Sequence, residues 1–408
     1  MSAPGDSHHP VAGPDPATGP LGWGAAVPPP RHGGSSPDLT EMASIVRASF
    51  AMVAGRTAEL TKLFYGLLFT AAPETRDLFS VTMGSQRDRF LHALIQIVGM
   101  VDRPDDLNAF LRGLGRDHRK FGIADEHYDV VGVALLEAMA LMSGPAWTPR
   151  TAGAWRRAYD LVATVMREAA GAERGPAVWM ARVLEHRRLG HDLAVIRVQT
   201  GALVPYLAGQ YLSVEIPNRP RMWRPLSPAN PPGADGVIDF HVRAVTGGWV
   251  SPAMVAHTRV GDLWRLGPPR GQLTLAPGST RDLLMVAGGT GLSPARAILE
   301  QLALERSDRK VGLFYGGRAW ADLYALERLR AMAHEHPWLT VIPVVESGGA
   351  EHGADRGTLA EVVARYGDWA DRETMISGSP DMVRATVTAM LDAGTPLHRI
   401  HHDPFTSG

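Results

Sequence analysis

From Leu39 to about Ala172 the apolar positions recur at helical spacing, and strand-like alternation is nearly absent. Residues 57–69 place Leu60, Phe64, Leu67 and Leu68 on one face. Pro73 opens a short helix ending near Phe79, because proline suits a first helical turn. Ser85 followed by Asp88 resembles a capping box ahead of Phe90, Leu94, Ile97 and Val98. Asp125 is expected to cap a helix reaching Leu141, and Thr148-Pro149 to start the last one. The pattern predicts an all-α domain over residues 38–172, with long links only around 80–85 and 119–124. After Gly175 the texture changes: residues 178–186 and 193–200 alternate like strands, followed by 211–216, 237–245 and 263–265 between proline and glycine turns. That suits a small antiparallel barrel over 176–279. From Arg281 onward strand, glycine-rich turn and helix repeat, which predicts a parallel, doubly wound α/β sheet over 280–408. Residues 1–37, rich in Pro, Gly, Ser and Ala, carry too little apolar surface to offset their ordering entropy and are expected to be a disordered leader.

At 408 residues the chain has room for several separate cores, and its hydrophobic and charged contents of 45% and 20% are ordinary for a globular protein. Composition matters more for what it removes. A net charge of -1 leaves no broad electrostatic footprint for nucleic acid, which points to small-molecule partners. The absence of cysteine excludes disulfides, iron–sulfur ligation and thiolate nucleophiles, so any one-electron chemistry must use another cofactor. No apolar run approaches the roughly 20 residues of a membrane span, so a cytoplasmic protein without membrane contact is expected.

The candidate chemistry of the second half lies in its turns. Arg224-Pro225-Leu226-Ser227 sits between two predicted strands, where an arginine on extended chain can take a pyrophosphate bidentately. Gly247-Gly248-Trp249-Val250-Ser251 leads into a helical piece and presents backbone N–H groups to an anion. Val286-Ala287-Gly288-Gly289-Thr290-Gly291-Leu292-Ser293-Pro294 follows a strand and opens a helix, as does Ser377-Gly378-Ser379-Pro380-Asp381-Met382; His402-Asp403-Pro404-Phe405 closes the chain. In this order the elements resemble the ferredoxin–NADP reductase superfamily. The resemblance implies that Tyr211, Arg224, Pro225, Leu226, Ser227, Gly248, Val250 and Ser251 line FAD and that Phe405 covers the flavin ring. It also implies that Gly289, Thr290, Gly291, Leu292, Ser293, Pro294, Ser377, Gly378 and Pro380 line NADH or NADPH. Two departures are visible: Leu226 stands where the superfamily usually carries an aromatic, and Ser377 where a cysteine is common. Arg318, after the second strand of the last domain, would suit a 2′-phosphate, yet arginine there also serves ordinary loops; NADH is the weakly preferred donor.

In the helical half, Leu63 to Phe69, Pro73 to Phe79, Gln86-Arg87, His118-Arg119-Lys120-Phe121, Tyr128 to Gly132 and Trp155 to Tyr159 run in order like the globin domain of flavohaemoglobins. Joined to the reductase-like half, they identify the chain as resembling that family. By this resemblance His118 is the proximal ligand of haem b, Tyr65 and Gln86 are the distal pair that hydrogen-bond the oxygen ligand, and Phe79 wedges against the porphyrin. Gln86 is otherwise an exposed first-turn residue, because the loop before it differs in length from the usual one. Tyr128 matches a tyrosine that, with a glutamate of the last helix, orients the ligand histidine. Matching Trp155 and Tyr159 without gaps puts Ala170 at the glutamate position, while Glu168 lies two residues earlier, about 200° away around the helix. Glu168 therefore serves only if the helix is shifted; otherwise it is solvated. Asp117 stands where the family places a lysine. The resemblance implies an NAD(P)H-driven flavohaemoprotein that turns nitric oxide and dioxygen into nitrate; a monomer is expected, although the sequence does not fix the oligomeric state. The alternatives are an oxygen or redox sensor, or a flavin reductase serving an outside acceptor.

Overall fold

The computed structural model describes residues 37–80, 83–348, 353–367 and 369–403. Phe405 thus lies outside the described residues, as does nearly all of the expected leader.

Six helices build the first domain: α1 Pro37–Val53, α2 Thr57–Ala71, α3 Gly84–Met100, α4 Pro104–His118, α5 Asp125–Ser143 and α6 Pro149–Ala172. Leu60, Phe64 and Leu68 of α2, Ala138 and Met139 of α5 and Trp155 of α6 share one core, and the Trp155 indole donates to Ser49 Oγ at 2.8 Å. Two caps differ from expectation. α3 begins at Gly84 with Met83 as its cap residue, so Ser85 lies inside the first turn. α5 is preceded by Ala124, whose N–H is taken by His127 Nδ1 at 2.9 Å, so Asp125 is the first helical residue and places its charge in the first turn. Thr148 does cap α6, accepting from the Thr151 N–H. The stretch Asp125–Ala146 corrects the statement about apolar runs: its 22 residues are long and apolar enough to cross a membrane, by length and composition only. In the fold Ala134, Leu135, Ala138 and Met139 bury into the helical core.

The middle domain consists of β1 Trp179–Arg188, β2 Leu193–Thr200, β3 Tyr211–Glu215, β4 Arg224–Leu226, β5 Val237–Arg243, the short helix α7 Ser251–His257, and β6 Leu263–Arg270. Every strand pairing is antiparallel, in the order β4-β3-β6-β1-β2-β5. A bridge from Pro228, just after β4, to Phe240 of β5 joins the two edges and closes the sheet towards a barrel. Alternate residues such as Ala181 and Val183, Ile196 and Val198, Phe240 and Val242 fill its interior.

The last domain alternates β7 Leu283–Gly288, α8 Leu292–Leu304, β8 Val311–Gly317, α9 Leu326–Glu335, β9 Leu339–Val345, β10 Asp355–Arg356, α10 Leu359–Arg365, β11 Glu373–Ser377, α11 Pro380–Asp392 and β12 Ile400–His401. All strands are parallel, in the order β10-β9-β8-β7-β11-β12. Side chains of β7 bury into both faces, Met285 and Ala287 on one, Leu284 and Val286 on the other, as a doubly covered strand requires. The chain winds outward from β7 through β10 and then returns to the other side of β7 at β11. The crevice between the carboxyl ends of β7 and β11 is therefore the topological switch point, where such sheets hold their ligands.

Candidate functional site

His118 is the last residue of α4. Its ring is fixed by an Nδ1 hydrogen bond to the Leu114 carbonyl at 2.8 Å. A carbonyl can only accept, so Nδ1 carries the hydrogen and Nε2 keeps its lone pair for a ligand. Burial holds the pKa of the ring below its ordinary value, against the opposing effects of the Leu114 carbonyl and Asp117. Imidazole is thus kept neutral, as metal ligation demands.

Tyr65 lies buried on α2 in an aromatic cluster, 5.5 Å from the Phe79 ring and 4.9 Å from Phe64, with Phe64 stacked on Phe90 at 4.2 Å. Burial pushes its phenol up to about 12, while a hydrogen bond from Gln86 and the charges of Arg87 and Arg89 pull the other way. Tyr65 and Gln86 therefore meet despite the altered loop, and Tyr65 stays a protonated donor. Phe79, half-buried at the end of the Pro73–Leu78 turn, packs edge-on against both Tyr65 and Phe69.

On the proximal side the Tyr128 ring lies 6.3 Å from the His118 ring at 29°. The Tyr128 hydroxyl is buried and has no hydrogen-bond partner among the described residues. Glu168 does not reach it: the residue is exposed on α6, as the two-residue offset in helix phase required. The charged α6 residue beside the Tyr128 ring is Arg167, which sequence reasoning missed. Its guanidinium sits 5.2 Å from the Tyr128 ring centroid, pairs with Asp129 and donates to the Asp125 carbonyl at 2.7 Å.

The residues expected to line FAD gather around β3, β4 and α7. Arg224 opens β4 half-buried, its pKa lowered by burial and then by the charge of Arg89 from α3. The charges of Arg89 and Arg270 also act on Lys120, so cationic side chains gather where the helical domain meets the barrel. An arginine such as Arg224 suits a pyrophosphate. Tyr211 starts β3 and Leu226 ends β4, packed against the barrel core, while Pro225 is exposed and Ser227 half-buried. At Gly248 an added Cβ would meet the Val245 carbonyl at 2.9 Å, so the turn before α7 is tight enough to need glycine. The Val250 side chain is wholly buried in the barrel core and Ser251 Oγ accepts the Val245 N–H; at Val250 only backbone is left to meet a ligand.

In the last domain the two strand-to-helix turns touch. Ser377 Oγ donates to the Gly291 carbonyl at 2.6 Å, and a Cβ on Gly291 would lie 2.5 Å from the Ser377 carbonyl. Gly289, at φ 55°, uses the left-handed region, and Thr290 follows it in the same turn. Gly378 abuts Met382, and Pro380 begins α11. Leu292, Ser293 and Pro294 are buried at the start of α8, and Leu292 packs in the core. Arg318 is exposed after β8.

Comparisons with known proteins agree with this layout. Residues 62–166 match the Globin family, 180–275 the Oxidoreductase FAD-binding domain and 285–388 the Oxidoreductase NAD-binding domain. A flavohemoprotein of Bordetella pertussis is 27% identical over 398 residues, covering 90% of this chain and 98% of the relative. A ferredoxin–NAD(P)(+) reductase of Metapseudomonas resinovorans is 32% identical over 235 residues, 55% of this chain and 68% of the relative. Among solved structures, the flavohemoglobin of Malassezia yamatoensis, with FAD and haem bound, superposes with a TM-score of 0.74 at 20% identity, covering 89% of this chain and 98% of that one.

Proposed function

We propose that this chain, which belongs to the flavohaemoglobin family, is a nitric oxide dioxygenase driven by a nicotinamide nucleotide. It is an oxidoreductase with sites for haem, FAD and NAD(P)H. When bound, these groups supply oxygen binding, the splitting of an electron pair and hydride donation. The balance is two nitric oxide, two dioxygen and one NADH giving two nitrate, one NAD⁺ and one proton. The chain's own residues do the rest. His118, fixed by the Leu114 carbonyl, offers Nε2 to the iron. Tyr65, its phenol braced by Gln86, would donate to an oxygen ligand of the haem, a fixed dipole aimed where negative charge develops. Arg224 and the turn before α7 would hold the flavin's phosphates. Gly289, Gly291 and Gly378 let the nicotinamide nucleotide approach the backbone at the β7–β11 crevice.

The observation that carries this reading is the Tyr65–Gln86 pair, set in an aromatic wall and kept protonated. Spectra of the loaded protein before and after NADH under nitrogen test it: the flavin should bleach and the haem become ferrous. A second reading has one observation behind it, the exposure of Glu168 and its displacement by Arg167 beside Tyr128. A flavin that bleaches beside a haem that stays ferric would favour that reading, a reductase serving an outside acceptor.

A further inference from the structure

The seam between the helical domain and the barrel is centred on one buried cation. Lys120, only 8% exposed, lies two residues beyond His118. Its ammonium donates to Ser213 Oγ at 2.9 Å and sits 5.2 Å from the Phe121 ring centroid and 5.6 Å from that of Trp223. Among the described residues it makes no ion pair. Arg265 closes the far side, its guanidinium 5.3 Å from the Trp223 ring, donating to the Lys120 carbonyl at 3.3 Å and to Glu215 at 2.8 Å. Asp117 pairs with Arg270 at 3.0 Å. A Cβ on Gly267 of β6 would already lie 3.3 Å from Lys120 Cδ. An ammonium buried without a carboxylate is costly, and an apolar residue would fill the same space more stably.

Where Lys120 is anchored explains why the charge is there. Trp223 directly precedes Arg224, and Ser213 pairs with Pro225 across β3 and β4, so both anchors belong to the strand pair that presents the flavin motif. On the other side, the Phe121 ring lies 6.3 Å from His118 and 6.2 Å from Trp223, so the contact runs unbroken from the haem ligand to that strand pair. We propose that Lys120 is the positioning residue that couples the two modules: gripping Ser213 between Phe121 and Trp223, it fixes the end of the histidine helix against the flavin strands and sets the rate of electron passage between them. Its positive charge beside His118 also favours ferrous over ferric iron. The inference rests on the electron route of the preceding section, in which one NADH reduces two ferric haems, releasing NAD⁺ and one proton.

The test is rapid mixing of the full-length protein, loaded with haem and FAD, with NADH under nitrogen, following flavin and haem bands together. In Lys120→Met the flavin should bleach at the wild-type rate while haem reduction slows at least about tenfold, and the haem midpoint potential should fall. Ser213→Ala keeps the charge but loses the grip, so it should slow haem reduction with the potential unchanged; Lys120→Arg should restore the potential. If K120M does not retain haem, Ser213→Ala and Trp223→Leu carry the same test from the barrel side. Wild-type rates of haem reduction in these variants would overturn the proposal alone. A wild-type haem that stays ferric would overturn the electron route and this inference with it.

Discussion

In the proposed reaction, Tyr65 is the residue on which the oxygen ligand depends most. One hydrogen bond to a partly charged acceptor contributes about 1.5–3 kcal/mol, so Tyr65→Phe should speed oxygen dissociation by roughly ten- to hundredfold, read by stopped-flow ligand replacement. With its pKa raised to about 12, the phenol remains a donor throughout the neutral range, and this step should show no pH dependence of its own between pH 6 and 10. Beside Tyr128 the expectation reverses with charge. Arg167→Glu removes a cation 5.2 Å from that ring and puts an anion there, so His118 should donate more strongly and the iron–histidine stretching frequency of the ferrous haem should rise. The lost Arg167–Asp129 pair is largely solvated and contributes less than about 1 kcal/mol of stability. Tyr65, Phe79, His118 and Tyr128 were singled out through the order of motifs that resembles flavohaemoglobins, since a single ring or imidazole on a helix announces no role by itself. Arg167 was not, since only the phase of α6 against α5 decides which of two adjacent charged residues turns inward.

At the scale of elements, the crossing of α4 and α6 holds His118 in place. A Cβ on Gly115 would fall 2.4 Å from the Met166 carbonyl, a backbone atom that cannot step aside. Gly115→Ala should therefore push α4 off α6 at a cost of about 3 kcal/mol or more, seen as a lowered melting temperature and faster loss of haem to an apo-globin acceptor. Unchanged melting would mean the crossing is looser than it stands. The long helices and the barrel strands followed from their periods of 3.6 and 2, while the last sheet, buried on both faces, followed from the repeated order of strand, glycine-rich turn and helix. The two-residue strands β10 and β12 were invisible because so short a run has no period, and they pair only because β9 and β11 supply the ladder. The cap of α5 was misassigned for a related reason: Asp125 is a good cap by type, but His127 reaches back to the Ala124 N–H first.

In the whole molecule, a globin-type helical domain, a flavin barrel and a nucleotide sheet are joined in series, and the order of their motifs was readable along the chain. The seam was not. Asp117 and Arg270 are 153 positions apart and Lys120 and Ser213 are 93 apart, so no local pattern announces either contact. The seam matters because a reductase and a haem site in one chain make a dioxygenase only if electrons cross between them. The most direct test is a stoichiometry: purified protein carrying haem and FAD, given NADH, air and limiting nitric oxide. Two nitrates formed per NADH consumed is the predicted result. NADH consumed with nitric oxide untouched and hydrogen peroxide accumulating would contradict it.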